Sequence, residues 1–101
     1  MLKHEKQRGT MTVYLTGELD HNRASQIRQE LDRLIADPSV KRLVFDLKGL
    51  KFMDSSGIGM MIGRYKTMAR RGGSVAIRPG CSQVNRMMEL SGLYRIIEKL
   101  A

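Results

Sequence analysis

The sequence predicts an α/β fold in which a mixed sheet of about five strands packs against helices. Two observations lead to this fold class. The apolar residues switch repeatedly between alternating and helical spacing, and glycines, prolines or charged turns separate the segments. At 101 residues the chain can bury one modest core, so we expect a single domain over residues 1–101.

The N-terminal third predicts a hairpin followed by a helix. Residues 2–8 and 11–16 alternate between apolar and polar side chains and are joined by a turn that contains glycine, which is typical of paired strands. A first helix is predicted after the candidate cap residues 18–22, and it ends at Asp37-Pro38. Its apolar face consists of Ala24, Ile27, Leu31, Leu34 and Ile35.

The rest of the chain alternates strands and helices. Residues 41–47 form a short apolar run, as expected of a strand buried on both faces. A helical stripe that begins at Ile58 ends at paired arginines and glycines, which favour a helix C-terminus. We expect a strand at residues 74–77, a third helix at residues 82–91 and a short last strand at residues 96–97. Because helices join parallel strands by crossovers, the sheet should be mixed.

The net charge of +8 invites a nucleic-acid function, but its distribution argues against one. Basic residues are spread along the chain, and the five aromatic side chains mostly lie among apolar residues, where we expect them in the core. We therefore predict no direct nucleic-acid binding. The positive charge indicates an acidic protein partner or serves solubility.

Several other classes of protein are excluded by composition. The single Cys81 permits no intrachain disulfide, and no cysteines or histidines have metal-ligand spacing, so we expect no metal and no cofactor. No apolar run reaches the length of a membrane span, and the N-terminus lacks an export signal. A cytoplasmic location without membrane attachment is the prediction.

One segment combines residues that carry chemistry, at the predicted start of the second helix. Residues 52–59 place the carboxylate of Asp54 and the hydroxyls of Ser55 and Ser56 at a helix N-terminus. Capping accounts for one or two of these side chains, since Asp and Ser accept hydrogen bonds from the free amides of a first turn. Three glycines follow in the same helix: Gly57, Gly59 and Gly63. Because glycine is unfavourable in a helix, we expect a neighbouring backbone or a partner to approach this turn closely.

Three chemical functions compete for this turn. Nucleophilic catalysis lacks support, because no G-x-S-x-G elbow is present and nothing orients His4 or His21 as a base. Nucleotide binding is weakly supported, because the glycines fit neither phosphate-binding pattern. A phosphoacceptor fits best, since a hydroxyl at a helix N-terminus faces amides that accept added negative charge while a docked partner would be repelled.

Four motifs, in order along the chain, resemble a known family. They are Gly17-Glu18-Leu19-Asp20-His21, Phe52-Met53-Asp54-Ser55-Ser56-Gly57-Ile58-Gly59, Gly63-Arg64-Tyr65-Lys66 and Ser91-Gly92-Leu93. Together they resemble the anti-sigma-factor antagonists of the STAS-domain family, most of all those that act in sporulation. The resemblance covers roughly residues 10–98, which implies one STAS domain with its core in that range.

The resemblance implies a non-enzymatic partner switch in transcription regulation. In that family the unphosphorylated antagonist binds an anti-sigma factor that is also a serine kinase, so that a sigma factor is released. The kinase then phosphorylates the antagonist, which dissociates, and a PP2C-type phosphatase restores it. The implied phosphoacceptor is Ser55, with Ser56 as the alternative. The implied partner-binding residues are Glu18, Asp20, His21, Asp54, Ser56, Gly57 and Ile58. A STAS-type nucleotide-binding module or a general-stress regulator remains the alternative function.

Overall fold

A computed structural model describes residues 1–101 and contains one mixed sheet of five strands together with three α-helices. In chain order the elements are β1 (Leu2–Gln7), β2 (Thr10–Leu19), α1 (His21–Ile35), β3 (Arg42–Met53), α2 (Ser55–Arg70), β4 (Ser74–Arg78), α3 (Ser82–Leu90), a 3-10 turn (Leu93–Arg95) and β5 (Glu98–Lys99). The strands lie side by side in sequence order. Strands β1 and β2 are antiparallel, whereas β2, β3, β4 and β5 are parallel neighbours. The predicted fold class is confirmed.

The core combines buried side chains of the sheet with those of all three helices. Helix α1 joins β2 to β3, helix α2 joins β3 to β4, and the two helices pack against each other. Alternate side chains of β2 are buried, whereas residues 43–47 of β3 and 75–77 of β4 are buried on both faces of the sheet, as predicted for the strand at residues 41–47. The largest fully buried side chains are Phe45, Leu15, Leu19, Leu31, Ile35, Leu43, Leu47, Leu50, Met53, Met61, Met68 and Ile77.

Strand β3 is longer than the sequence predicts. We expected it to end at Leu47 before Lys48-Gly49, but it continues to Met53. The pairing with β2 shifts register before Gly49, which then lies opposite Thr16. A Cβ on Gly49 would be 2.6 Å from Cγ2 of Thr16, so this glycine permits close contact within the sheet and does not end the strand.

The last strand also differs from the prediction, because it consists of Glu98 and Lys99 and not of residues 96–97. Ile97 is 1% exposed and belongs to the core, and a 3-10 turn precedes it. Pairing begins only beyond this residue, where the amide of Leu100 donates to the carbonyl of Ile77 at 2.8 Å. Because Ile97 is buried in the core, the strand begins at Glu98, two residues later than predicted.

The aromatic side chains are less buried than expected. Phe45 is fully buried, but Phe52 is 42% exposed, so the prediction that it belongs to the core is wrong. Tyr65 and Tyr94 pack partly buried against the core. The methionine prediction is confirmed for most of those named in helices, since four are buried in the core: Met60, Met61, Met68 and Met88.

Candidate functional site

The candidate site lies where two neighbouring parallel strands end. Leu19 at the end of β2 is in register with Met53 at the end of β3. An aspartate follows each of these residues, Asp20 and Asp54, and a helix follows each aspartate. Because the carboxyl ends of parallel strands meet at one edge of a sheet, the motif at residues 17–21 and the motif at residues 52–59 come together there.

Both aspartates are helix N-caps. Oδ1 of Asp20 accepts a hydrogen bond from the amide of Arg23 at 2.9 Å, and Oδ1 of Asp54 accepts one from the amide of Ser56 at 2.9 Å. The two turns are also linked directly, since the amide of Asp54 donates to the carbonyl of Leu19 at 3.2 Å. Each carboxylate thus satisfies a first-turn amide that would otherwise lack a partner. The capping role predicted for this segment is confirmed.

The two serines differ in their surroundings. Ser55 is the first residue of α2 and is exposed. Ser56 is partly buried, and its Oγ lies 3.3 Å from Nδ1 of His21 at the start of α1. Ser55 is therefore the more exposed of the two hydroxyl groups, and only the Ser56 hydroxyl contacts His21. Ser55 also lies at the positive end of the dipole of α2, where a phosphate is favoured.

Two exposed side chains precede the capping aspartates. Glu18 is in register with Phe52, and each lies two residues before the N-cap of its helix. Phe52 is one of four large apolar side chains that are exposed. Glu18 is among the residues predicted to bind a partner, whereas Phe52 is not. Alternation could not have found it, because Lys51 and Phe52 are both exposed between the buried Leu50 and Met53.

Gly57 and Ile58, the remaining residues predicted to bind a partner, face the protein interior. Ile58 is 9% exposed and belongs to the core. A Cβ on Gly57 would lie 2.5 Å from Sδ of Met53 and 3.0 Å from Cδ2 of Leu19. Close approach to this turn, which the glycines led us to expect, therefore occurs at Gly57, and the approaching groups are side chains of β2 and β3.

The other two glycines of α2 have open space around them. A Cβ on Gly59 or on Gly63 would meet no atom within 4 Å. Both border a groove of about 520 Å³ between α1 and α2, which starts beside His21 and Ser56. Close packing inside the domain therefore does not account for these two glycines.

The structure contains no group of three or more His, Cys, Asp or Glu side chains placed to hold a metal ion. None of its helices combines the length and the apolar character needed to cross a membrane.

Comparison with solved structures finds this architecture in an anti-sigma factor antagonist. The unphosphorylated form of the antagonist SpoIIAA superposes with a TM-score of 0.87 at 28% identity, over 100% of this chain and 89% of the other. Its phosphorylated form from Bacillus superposes with a TM-score of 0.78 at 27% identity, over 100% of this chain and 92% of the other.

Sequence comparisons agree with the structural ones. An anti-sigma F factor antagonist of Paenibacillus polymyxa is 38% identical over 96 residues, which is 95% of this chain and 82% of the relative. An anti-sigma-B factor antagonist of Bacillus subtilis is 30% identical over 86 residues, 85% of this chain and 77% of the relative. The STAS domain model matches residues 1–101. The chain therefore belongs to the STAS-domain family, within its group of anti-sigma factor antagonists.

Proposed function

We propose that this protein is an anti-sigma factor antagonist that is switched off by phosphorylation of Ser55. Its unphosphorylated form binds an anti-sigma factor that is also a serine kinase, and a sigma factor is thereby released. The observation that supports this most is the exposed Ser55 at the N-terminus of α2, directly after the Asp54 cap and beside the Asp20 turn. A relative with the same fold has been solved in both phosphorylated and unphosphorylated forms.

The proposed docking surface is the edge formed by the ends of β2 and β3. We define it by the partly or fully exposed residues Glu18, Asp20, His21, Phe52, Asp54, Ser55 and Ser56. It combines one exposed aromatic ring with charged and polar groups, the composition typical of an anchor inside a polar rim. Gly57 and Ile58 support this surface from below, because both are buried.

A phosphate on Ser55 would act on the partner and leave the fold intact. The N-terminus of α2 accommodates the added charge of about −1.5 to −2, because free amides and the helix dipole favour an anion there. The same phosphate adds bulk in the middle of the docking surface and increases the negative charge beside Asp20 and Asp54. The kinase therefore dissociates after transfer, and a PP2C-type phosphatase in the cytoplasm restores the binding form.

The acceptor assignment is tested by incubating the protein with its anti-sigma factor kinase and ATP. We expect one phosphate on Ser55, detected by mass spectrometry of peptides. Ser55→Ala should remove the phosphate and retain binding, and Ser56→Ala is the matched control that keeps it. A phosphate on Ser56 in the wild-type protein would contradict the assignment.

Docking is tested separately by calorimetric titration with the same kinase. Ser55→Asp should weaken binding about tenfold or more, since a desolvated like-charge contact costs more than 1.4 kcal/mol. Phe52→Ala should weaken it by a similar factor, whereas Ile96→Ala, which also truncates an exposed apolar side chain, should not. Equal binding by wild type and the Phe52→Ala variant would show that Phe52 is not part of the docking surface.

The type of anti-sigma factor that the protein binds determines which sigma factor is released. Relatives antagonise anti-sigma factors of the F and the B type. We propose the sporulation type, because the F-type relative is the more similar of the two. Titration against both kinds of anti-sigma factor tests this, and tighter binding to the B type would favour the general-stress alternative.

A further inference from the structure

Basic residues that are spread along the sequence come together at one end of the folded domain. The parallel strands β2, β3 and β4 begin there, since Thr10, Arg42 and Ser74 are in register. Helices α1 and α2 end there, because each returns the chain to the start of the next strand. The amide of Lys41 donates to the carbonyl of Gly9 at 2.8 Å, so the turn between β1 and β2 lies against the loop after α1. We call the cations of these segments the basic end; they are Lys6, Arg8, Arg33, Lys41, Arg42, Arg70 and Arg71.

The positive charge of the basic end is only partly balanced. Three carboxylates lie near it, and each is already paired with a cation: Asp37 with Lys6 at 2.8 Å, Glu98 with Arg42 at 3.1 Å, and Asp32 with Arg64 at 3.0 Å. The guanidinium of Arg71 donates to three backbone carbonyls, which are neutral. The other four cations are exposed and form no ion pair: Arg8, Arg33, Lys41 and Arg70. The charges of Arg71 and of these four residues therefore have no counter-charge within the domain.

Arg8 is unfavourable for the turn in which it lies. Arg8 and Gly9 form the two-residue connection between β1 and β2, with φ angles of 51° and 81°. Two positive φ angles are typical of a type I′ turn, in which asparagine or glycine is favoured at the first position. Arg8 is the only residue other than glycine with a positive φ in this chain. An arginine at this position thus destabilises the turn and adds an exposed charge that pairs with no carboxylate of the domain.

Helix dipoles account for only part of the basic end. Arg33 and Arg70 occupy the last turns of α1 and α2, where cations interact favourably with the helix dipole. Arg8 and Lys41 belong to no helix. Unpaired like charges that lie close together repel one another and destabilise a fold. The charge of the basic end therefore does not serve the stability of the domain, and it fits a negatively charged partner.

We propose that the basic end docks an acidic segment of another polypeptide, rich in Asp and Glu. Guanidinium groups bind carboxylates through paired N–H donors. A nucleic acid fits less well, because α1 and α2 direct the negative ends of their dipoles to this end, whereas phosphates are bound at helix N-termini. In addition, none of the five aromatic residues lies in the β1–β2 turn, in the last turn of α1 or α2 or in residues 36–41, so no ring is available to stack on bases. Ser55 lies at the other end of β3, so the acidic segment and the partner of the switch can bind at the same time.

The test is fluorescence anisotropy of a labelled decaglutamate peptide titrated with the protein in about 150 mM sodium chloride, a concentration that screens distant charges. We expect saturable binding. A triple variant that carries Arg8→Asn, Arg33→Gln and Lys41→Gln should bind about tenfold or more weakly, since each exposed charge pair contributes a factor of about two to five.

The matched control removes three exposed cations outside the basic end by Lys48→Gln, Lys51→Gln and Arg86→Gln. Both triple variants have the same net charge, so only the location of the charges differs. The control should bind the peptide like wild type. An equal loss of affinity in both triple variants, or binding that does not saturate, would overturn the proposal. Tighter binding of a single-stranded DNA with the same number of charges would show that the basic end takes a nucleic acid and not a polypeptide.

Arg8→Asn alone separates binding from stability. Asparagine suits the turn better than arginine, so this variant should have a higher midpoint in urea denaturation than wild type and bind the peptide about two- to fivefold more weakly. A lower midpoint would show that Arg8 serves the fold, and unchanged affinity would show that its charge does not contact the acidic segment; either result contradicts the role proposed for Arg8. Because no kinase is present, the result is independent of the partner switch.

Discussion

The three glycines of α2 offer a quantitative test of the packing, because one site is closed and two are open. Replacing glycine by alanine inside a helix gains about 1 kcal/mol of helix propensity wherever the methyl group fits. At Gly59 and Gly63 it meets no atom within 4 Å, so each alanine variant should gain close to this amount. For a domain of this size, about 1 kcal/mol corresponds to a rise of about 4–8 °C in Tm.

Gly57→Ala should have the opposite effect. Its methyl group would be 2.5 Å from Sδ of Met53 and 3.0 Å from Cδ2 of Leu19, and both side chains are fully buried. Overpacking of this kind costs about 1–3 kcal/mol, which exceeds the gain in propensity. We therefore expect a net loss of about 1 kcal/mol, and a difference of about 2 kcal/mol from Gly59→Ala.

The measurement is urea denaturation of the three alanine variants and wild type, with thermal unfolding as a second observable. The midpoints should separate in the order Gly57→Ala, wild type, then the two open sites, with unchanged dependence on urea. If Gly57→Ala is as stable as Gly59→Ala, the side chains of Met53 and Leu19 do not pack closely enough against the first turn of α2 to exclude a methyl group. If Gly59→Ala or Gly63→Ala is destabilised, the groove is not open.

Three further predictions concern stability. Asp54→Ala should lose about 1 kcal/mol in urea denaturation, because it removes an N-cap, while Glu18→Ala at an exposed position should lose less than half of that. Arg71→Gln should cost about 1–3 kcal/mol, since the guanidinium donates to three carbonyls at the end of α1 and in the loop that follows. Burial raises the pKa of Tyr94 to about 12. The stability that this shift contributes at neutral pH should fall once the pH exceeds about 10, the unfolded value, and be lost progressively up to about 12. The difference in tyrosinate absorbance between wild type and the Tyr94→Phe variant reports the pKa of Tyr94 and checks this.

Periodicity predicted the elements but not all of their ends. Helices α1 and α2 start where the capping residues Asp20 and Asp54 indicate, because an N-cap is a local interaction between neighbours in sequence. The end of β3 depends on pairing with Thr16, more than thirty residues earlier in the chain. In that pairing Gly49 permits close contact with Thr16 and does not end the strand. A short-range pattern cannot contain this information.

The candidate site shows the same division between local and distant information. The resemblance brought together the motifs that contain Asp20 and Ser55, and the register of β2 and β3 places them at one edge. What the sequence did not indicate is the exposure of Phe52 and the open side of α2, since both depend on which neighbours are absent. The unpaired donors of Arg64 follow from how α1 packs on α2, and no spacing in one helix reveals them.

In the proposed function, the location of Ser55 also determines how phosphorylation would switch the protein off. A small domain is stable by only about 5–15 kcal/mol, so a modification that acted by unfolding would remove the protein instead of switching it. An anion at a helix N-terminus stabilises that helix by about 0.3–1 kcal/mol, so phosphorylation should slightly stabilise α2. A hundredfold loss of partner affinity needs about 2.8 kcal/mol. This is more than the stabilisation of the helix by phosphate, and it destabilises the complex where the helix effect stabilises the domain. The energy of switching must therefore arise in the docked interface, and the phosphorylated protein should be at least as stable as the form that binds the kinase.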